Sequence, residues 1–187
     1  MQTYEGMITL IFEAHGTTFD NEQHLSSGWN DVELSSLGIK QSKEMGIRYA
    51  HIHLDAIFCS DLKRSIDSTT IAFEGRNIKI IVDQRLRECN YGDFTQHPSA
   101  EVDKEKPKRI ATPFPKGESY EQCADRMKLF LHDIQKNYEG KTVMIIGHRA
   151  TQYSLEHWIN HIPLKTIIPA LWKWQPGWKY GMNDDFQ

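Results

Sequence analysis

No stretch of this 187-residue sequence approaches the roughly 20 consecutive apolar residues that a membrane-spanning helix requires. The opening segment Met1 to Gly6 carries neither the basic nor the long apolar region of a secretory signal, so a cytoplasmic protein is expected. Cysteine is scarce. Cys59, Cys89 and Cys123 lie far apart in the chain with no Cys-x-x-Cys pair, and free thiols in a reducing compartment are a simpler reading than a redox or metal role. Positive charge is not in excess either: the formal net charge of −3 removes bulk attraction as a basis for nucleic-acid binding. Internal repeats and low-complexity segments are also absent. What remains is 39% apolar and 25% charged residues, a globular composition long enough for one real core. A single domain over residues 1–187 is expected.

Apolar runs at Met7 to Phe12, Asp55 to Ser60, Ile78 to Val82 and Thr142 to Ile146 read as short buried strands. Helical spacing lies between them. One helix is predicted from about Ser36 to Ala50, and a second from Leu62 to Phe73 with Asp61 as its N-cap. A third runs from Tyr120 to Tyr138, led by Ser119 and Gln122 in the pattern of a capping box, and a fourth from Thr151 to about Asn160. An edge strand is placed around Leu171 to Trp174. Periodicity fails from Arg85 to Pro115, where four prolines and a basic cluster (Lys104, Lys106, Lys108, Arg109) suggest a long loop excursion, about 89–118, over one face. Strands alternating with helices argue for an α/β protein, a three-layer α/β/α sandwich with a mostly parallel central sheet.

In such sheets ligands bind beyond the carboxyl ends of the strands. Three of those ends carry polar candidates: His15-Gly16 after the first strand, Asp61 and Arg64 after the second, and Gly147-His148 after the clearest one. Two histidines on one sheet edge can share a pocket. A neutral imidazole is a competent nucleophile toward phosphorus, and an arginine fork on the first turn of a helix suits phosphate oxygens. Glu88, at the entrance to the excursion, is placed to protonate a leaving oxygen.

The motifs of this chain resemble those of the histidine phosphatase superfamily, in its phosphoglycerate mutase-like branch. The resemblance rests on Ala14-His15-Gly16-Thr17-Thr18-Phe19-Asp20-Asn21, Gly28-Trp29, and Leu34-Ser35-Ser36-Leu37-Gly38-Ile39-Lys40-Gln41. It continues through Ser60-Asp61-Leu62-Lys63-Arg64, Leu86-Arg87-Glu88-Cys89-Asn90-Tyr91-Gly92, Gly117-Glu118-Ser119 and Gly147-His148, all in family order. It implies a phosphoglycerate mutase-like fold and a phosphatase that hydrolyses small-molecule phosphate monoesters through a phosphohistidine, without metal or other cofactor. By position, His15 would be the nucleophile, Arg64 and His148 would hold the phosphoryl group, and Glu88 would be the general acid. Thr18 and Asn21 would border the phosphate, and Trp29 would form a pocket wall.

One departure stands out. The family has an arginine immediately before the nucleophilic histidine, and this chain has Ala14. Loss of one preorganised charged donor costs about 10² to 10³ in rate, so impaired activity is expected. Retention of His15, Arg64, Glu88 and His148 together favours an introduced substitution over a drifting pseudoenzyme. The alternatives are a phosphoglycerate mutase-type transferase and a non-catalytic pseudophosphatase that binds a phosphorylated ligand or protein. A zinc pair at His157 and His161 lacks a third ligand, and the basic run is read first as a solvated loop face, with reception of a charged substrate arm as its other use. The aromatic tail (Trp172, Trp174, Trp178, Tyr180) is read first as core packing, with substrate stacking or a homodimer face as its other uses.

Overall fold

The computed structural model describes residues 6–183. In chain order the elements are β1 (Ile8–Ala14), α1 (Phe19–Glu22), β2 (Leu25–Ser26), α2 (Ser36–Arg48), β3 (Ala56–Cys59), α3 (Lys63–Phe73) and β4 (Ile80–Val82). They continue with β5 (His97–Pro98), α4 (Ser99–Glu105), α5 (Tyr120–Asn137), β6 (Thr142–Gly147), α6 (Arg149–Trp158), α7 (Leu164–Ile167) and β7 (Trp178–Met182). The main sheet has five strands in the order β4-β3-β6-β1-β7. All neighbours are parallel except β7, which runs antiparallel along the edge of β1.

The apolar runs are continuous because both faces of the sheet are covered. Alternate side chains divide between two cores. Leu10 and Phe12 of β1, Phe58 of β3, and Val143 and Ile145 of β6 pack with Phe130, Leu131 and Ile134 of α5 and Leu155 of α6. Ile11, Ile57, Cys59, Met144 and Ile146 face the other way, against Met45 of α2 and Ala72 and Phe73 of α3. Each fully buried aliphatic or aromatic side chain contributes about 1.5–3 kcal/mol. This is an α/β fold with helices on both faces of a mostly parallel sheet.

The capping box expected at the start of α5 is present: Ser119 Oγ accepts from the Gln122 N–H and Gln122 Oε1 from the Ser119 N–H. Two local expectations are corrected. Asp61 does not cap α3, which begins at Lys63 behind an uncapped Leu62. Its carboxylate instead takes the Arg87 fork at 2.6 and 2.7 Å. The edge strand lies at Trp178–Met182, not at 171–174. There Tyr180 and Met182 turn into the core while Lys179 and Gly181 face solvent, the alternation of a one-sided strand.

The region from 89 to 118 carries short helices, and one of its segments joins a second sheet. β5 pairs antiparallel with β2, Leu25 opposite Pro98 and Ser26 opposite His97, which ties this region to the loop that follows β1. Within the basic run, Lys108 and Arg109 pair with Glu105 at 2.8 and 3.0 Å, while Lys106 is buried.

Candidate active site

The carboxyl ends of β1, β3 and β6 converge on one cavity of about 760 Å³. Ala14, His15, Asn21, Arg64, Glu88 and His148 all line it. Five lysines and arginines but only two glutamates are among its lining residues, the reverse of the chain's overall acidic balance. Such a cavity attracts anions.

His15 sits on a turn that two glycines allow to lie flat on α2. A Cβ on Gly16 would stand 2.5 Å from the Gly38 carbonyl oxygen, and one on Gly38 would stand 2.0 Å from that of Thr17. Polar bonds hold the turn to α3 and to α2, and one more fixes the start of α2. Gly16 N–H donates to Ser68 Oγ (2.9 Å), Thr17 N–H to Gln41 Oε1 (2.8 Å), and Ser35 caps Gly38 N–H (3.3 Å). His15 Nδ1 lies 2.7 Å from the carbonyl oxygen of Gly16. A carbonyl can only accept, so Nδ1 carries the proton and Nε2 keeps its lone pair. Burial, and then the Arg64 guanidinium, hold the His15 pKa down from 6.5 to about 3. The imidazole is therefore neutral at ordinary pH.

The His148 ring lies 5.1 Å from that of His15, centroid to centroid, at 55°. Its Nε2 meets Ser60 Oγ at 2.6 Å, and its buried Nδ1 has no partner among the described residues. Burial, followed by Arg64 and His15, keeps it neutral as well. Arg64 is 2% exposed and donates to the carbonyls of Gly28 (2.7 Å) and Asn30 (2.9 Å), which leaves part of its five-donor fork uncommitted.

Glu88 rests on the N-terminus of α6. Its carboxylate accepts from the N–H groups of Cys89 (2.8 Å), Ala150 (3.1 Å) and Arg149 (3.2 Å), two of which are the unpaired donors of a first helical turn. The Glu88 carbonyl is fixed by Trp29 Nε1 (2.6 Å) and Arg126 (2.9 Å), and Arg126 is itself paired with Glu118 at 3.1 Å. The Glu88 backbone is thus held by side chains from two separate segments, one of them braced in turn by Glu118.

Two of the expected residues lie behind the cavity wall. Thr18 is fully buried as the N-cap of α1, in a capping box with Asn21, and it is Thr17 that lines the space. Trp29 lies under the Arg87 guanidinium, 4.5 Å from the ring centre, and props up Glu88 from outside. Sequence reasoning missed Ser60, Gln41, Glu118 and Arg149, and it read Lys106 first as part of a solvated loop face, with a charged substrate arm as the alternative. Ser60, Gln41 and Glu118 fall inside the motif segments, which was the available signal. For Lys106 and Arg149 there was none beyond charge. Among the described residues one three-group cluster of metal-ligand type occurs, Cys89, Glu118 and Cys123 within 4.8 Å, with Glu118 already engaged by Arg126. His157 bonds the Ile162 carbonyl (3.0 Å) and takes no part in it.

A mostly parallel α/β sheet with two neutral histidines and a buried arginine at its carboxyl edge defines a protein built to handle small anions. The chain belongs to the histidine phosphatase superfamily (branch 1), whose sequence profile it matches over residues 10–171. It is 32% identical to a 2,3-bisphosphoglycerate-dependent phosphoglycerate mutase of Cytophaga hutchinsonii, covering 89% of this chain and 88% of that one. It is 30% identical to the uncharacterized phosphatase PhoE of Bacillus subtilis, covering 80% and 76%. The solved structure of Bacillus stearothermophilus YhfR superimposes with a TM-score of 0.77 at 27% identity, over 86% of this chain and 83% of that one.

Proposed function

We propose that this protein is a phosphatase acting on small-molecule phosphate monoesters through a phosphohistidine on His15, with turnover weakened at Ala14. The observation that carries the reading is the Gly16 carbonyl on His15 Nδ1, which leaves Nε2 unprotonated beside Arg64 and His148 in a cation-rich cavity. The Nε2 lone pair attacks phosphorus, forming the P–N bond as the ester P–O bond breaks. Glu88 enters this step as the neutral acid and gives its proton to the departing alkoxide, which leaves it as the carboxylate. Water then gives its proton to Glu88 and attacks phosphorus, the P–N bond breaks, and inorganic phosphate leaves. Arg64 and the unpaired Nδ1 of His148 offer hydrogen bonds to the oxygens on which charge builds. These steps call for no metal, and activity that survives chelation is the expected outcome. No helix of the described residues is long and apolar enough to cross a membrane.

Ala14 puts a methyl group where a bidentate cation would clamp the phosphoryl group. Restoring arginine at position 14 and assaying phosphate release from an aryl phosphate tests the assignment. Turnover that appears in the restored protein and disappears with His15→Ala supports it. An inert restored protein across a broad phosphoester panel favours the pseudophosphatase reading. The mutase reading draws on the Cytophaga relative, and it requires phosphoryl exchange between glycerate positions with little net phosphate.

A further inference from the structure

We infer that Lys106 and Arg149 form a second anion subsite in the cavity, so that the preferred phosphoester carries a further negative group, a carboxylate or a second phosphate. The inference rests on the phosphatase reading for the first subsite. Both side chains line the cavity, and neither belongs to the expected catalytic set. Lys106 is 4% exposed, an unusual position for an ammonium unless it is paired. Its partner, Asp103, is half-exposed, and the same carboxylate oxygen also serves Arg149 at 3.4 Å. Two cations therefore share one carboxylate. The other carboxylate nearby, Glu88, is held by three backbone N–H groups, so neither cation has an anion of its own.

The geometry is also fixed in advance. The Arg149 guanidinium lies 5.1 Å from the centre of the Trp172 ring, and Trp172 stacks on Trp178 at 5.8 Å. An arginine laid on an aromatic face keeps its in-plane donors directed outward. The Trp172 indole N–H is buried and has no acceptor among the described residues. Burial, and then the Arg149 charge, push the Lys106 pKa down, the mark of two cations that repel each other. An anion placed between them relieves that repulsion. His15, His148, Lys106 and Arg149 line the same cavity of about 760 Å³, so one ester can face both groups.

The test is equilibrium binding by calorimetry to the chain as it stands, Ala14 included, because slow turnover favours such a measurement. The probes are 3-phosphoglycerate and glycerol 3-phosphate, which differ by a carboxylate against a hydroxymethyl group, together with inorganic phosphate. 3-Phosphoglycerate is expected to bind about tenfold or more tighter than the ester without the carboxylate, the range of a charge-assisted hydrogen-bonded pair. Arg149→Leu or Lys106→Met should bring that ratio below about threefold, Arg149→Lys should keep much of it, and Asp103→Asn should widen it. Equal binding of the two esters by the unmodified chain overturns the proposal. So does a parallel loss of both esters and inorganic phosphate in Arg149→Leu, which would make Arg149 a phosphate clamp or a structural strut. If inorganic phosphate and both esters fail to bind the unmodified chain and its Ala14→Arg variant, the phosphatase reading falls, and this inference with it.

Discussion

Arg64 and Arg149 face the same cavity but are held in opposite ways. Two backbone carbonyls grip Arg64 at 2.7 and 2.9 Å, whereas Arg149 leans on a half-exposed carboxylate at 3.4 Å and the face of an indole. Backbone anchors move only if the fold moves. Side-chain anchors can be exchanged one residue at a time. The same contrast runs through the neighbours: His15 and Glu88 are fixed by backbone carbonyl and N–H groups, Lys106 by an aspartate. The end of the cavity that would carry the chemistry is therefore rigid by construction, and the end that would choose the substrate is replaceable.

The largest test of this contrast adds a guanidinium to the rigid end. Ala14→Arg is expected to raise kcat/KM on an aryl phosphate by about 10² to 10³, read from initial rates of phosphate release. Next in size, Arg64→Met should cost about 1–3 kcal/mol of stability, because it leaves the buried Gly28 carbonyl without its partner. A shift in the guanidinium chloride midpoint measures it, and a midpoint unchanged from the parent would refute the backbone-anchored picture. A smaller effect comes from His148, which stays neutral in the folded state while the unfolded imidazole titrates near 6.5. The unfolded chain then binds the extra proton, so stability falls with pH below 6.5, by about 1.4 kcal/mol per unit from this residue. His15 adds a slope of the same sign that ends near pH 3. Unfolding at pH 7.5 and 5.5 should show the difference shrinking in His148→Gln. The smallest change is expected at the replaceable end, where Arg149→Leu should cost less than about 1 kcal/mol, since its ion pair is half in solvent.

How much of this could be read from residues alone depended on distance along the chain. Thr142–Gly147 was legible because it is a pure apolar run buried on both faces, and α5 because Ser119 and Gln122 sit at capping-box spacing. The edge strand was misplaced. Trp172 and Trp174 mimic strand alternation, yet both line the cavity, while the true strand hides its pattern behind Gly181. Asp61 has the identity and position of a cap, but an arginine fork 26 residues away outcompetes one N–H. Trp29 and Thr18 were assigned to the wall because they adjoin motif residues. Adjacency in sequence does not say which side of a turn faces the ligand. Cys89 and Cys123 looked unrelated and come within 4.8 Å of each other, together with Glu118, because the Gly117-Glu118-Ser119 turn folds back onto Asn90. Lys106 carried no mark beyond its place in the basic run. A buried lysine and a surface lysine are indistinguishable until the fold around them is known.

The pairing of Leu25–Ser26 with His97–Pro98 has an evolutionary consequence. These short strands stitch the 89–118 region to the loop after β1 outside the five-stranded sheet, and Asp103 and Lys106 follow within the same region. Trp172 and Trp174 belong to the connection before the edge strand, which also lies outside the strand–helix alternation. Apart from Arg149, which starts α6, the wall assigned to substrate choice is therefore carried by two chain segments outside that alternation. A lineage can swap it for another while β1, β3 and β6 go on presenting the same reactive floor.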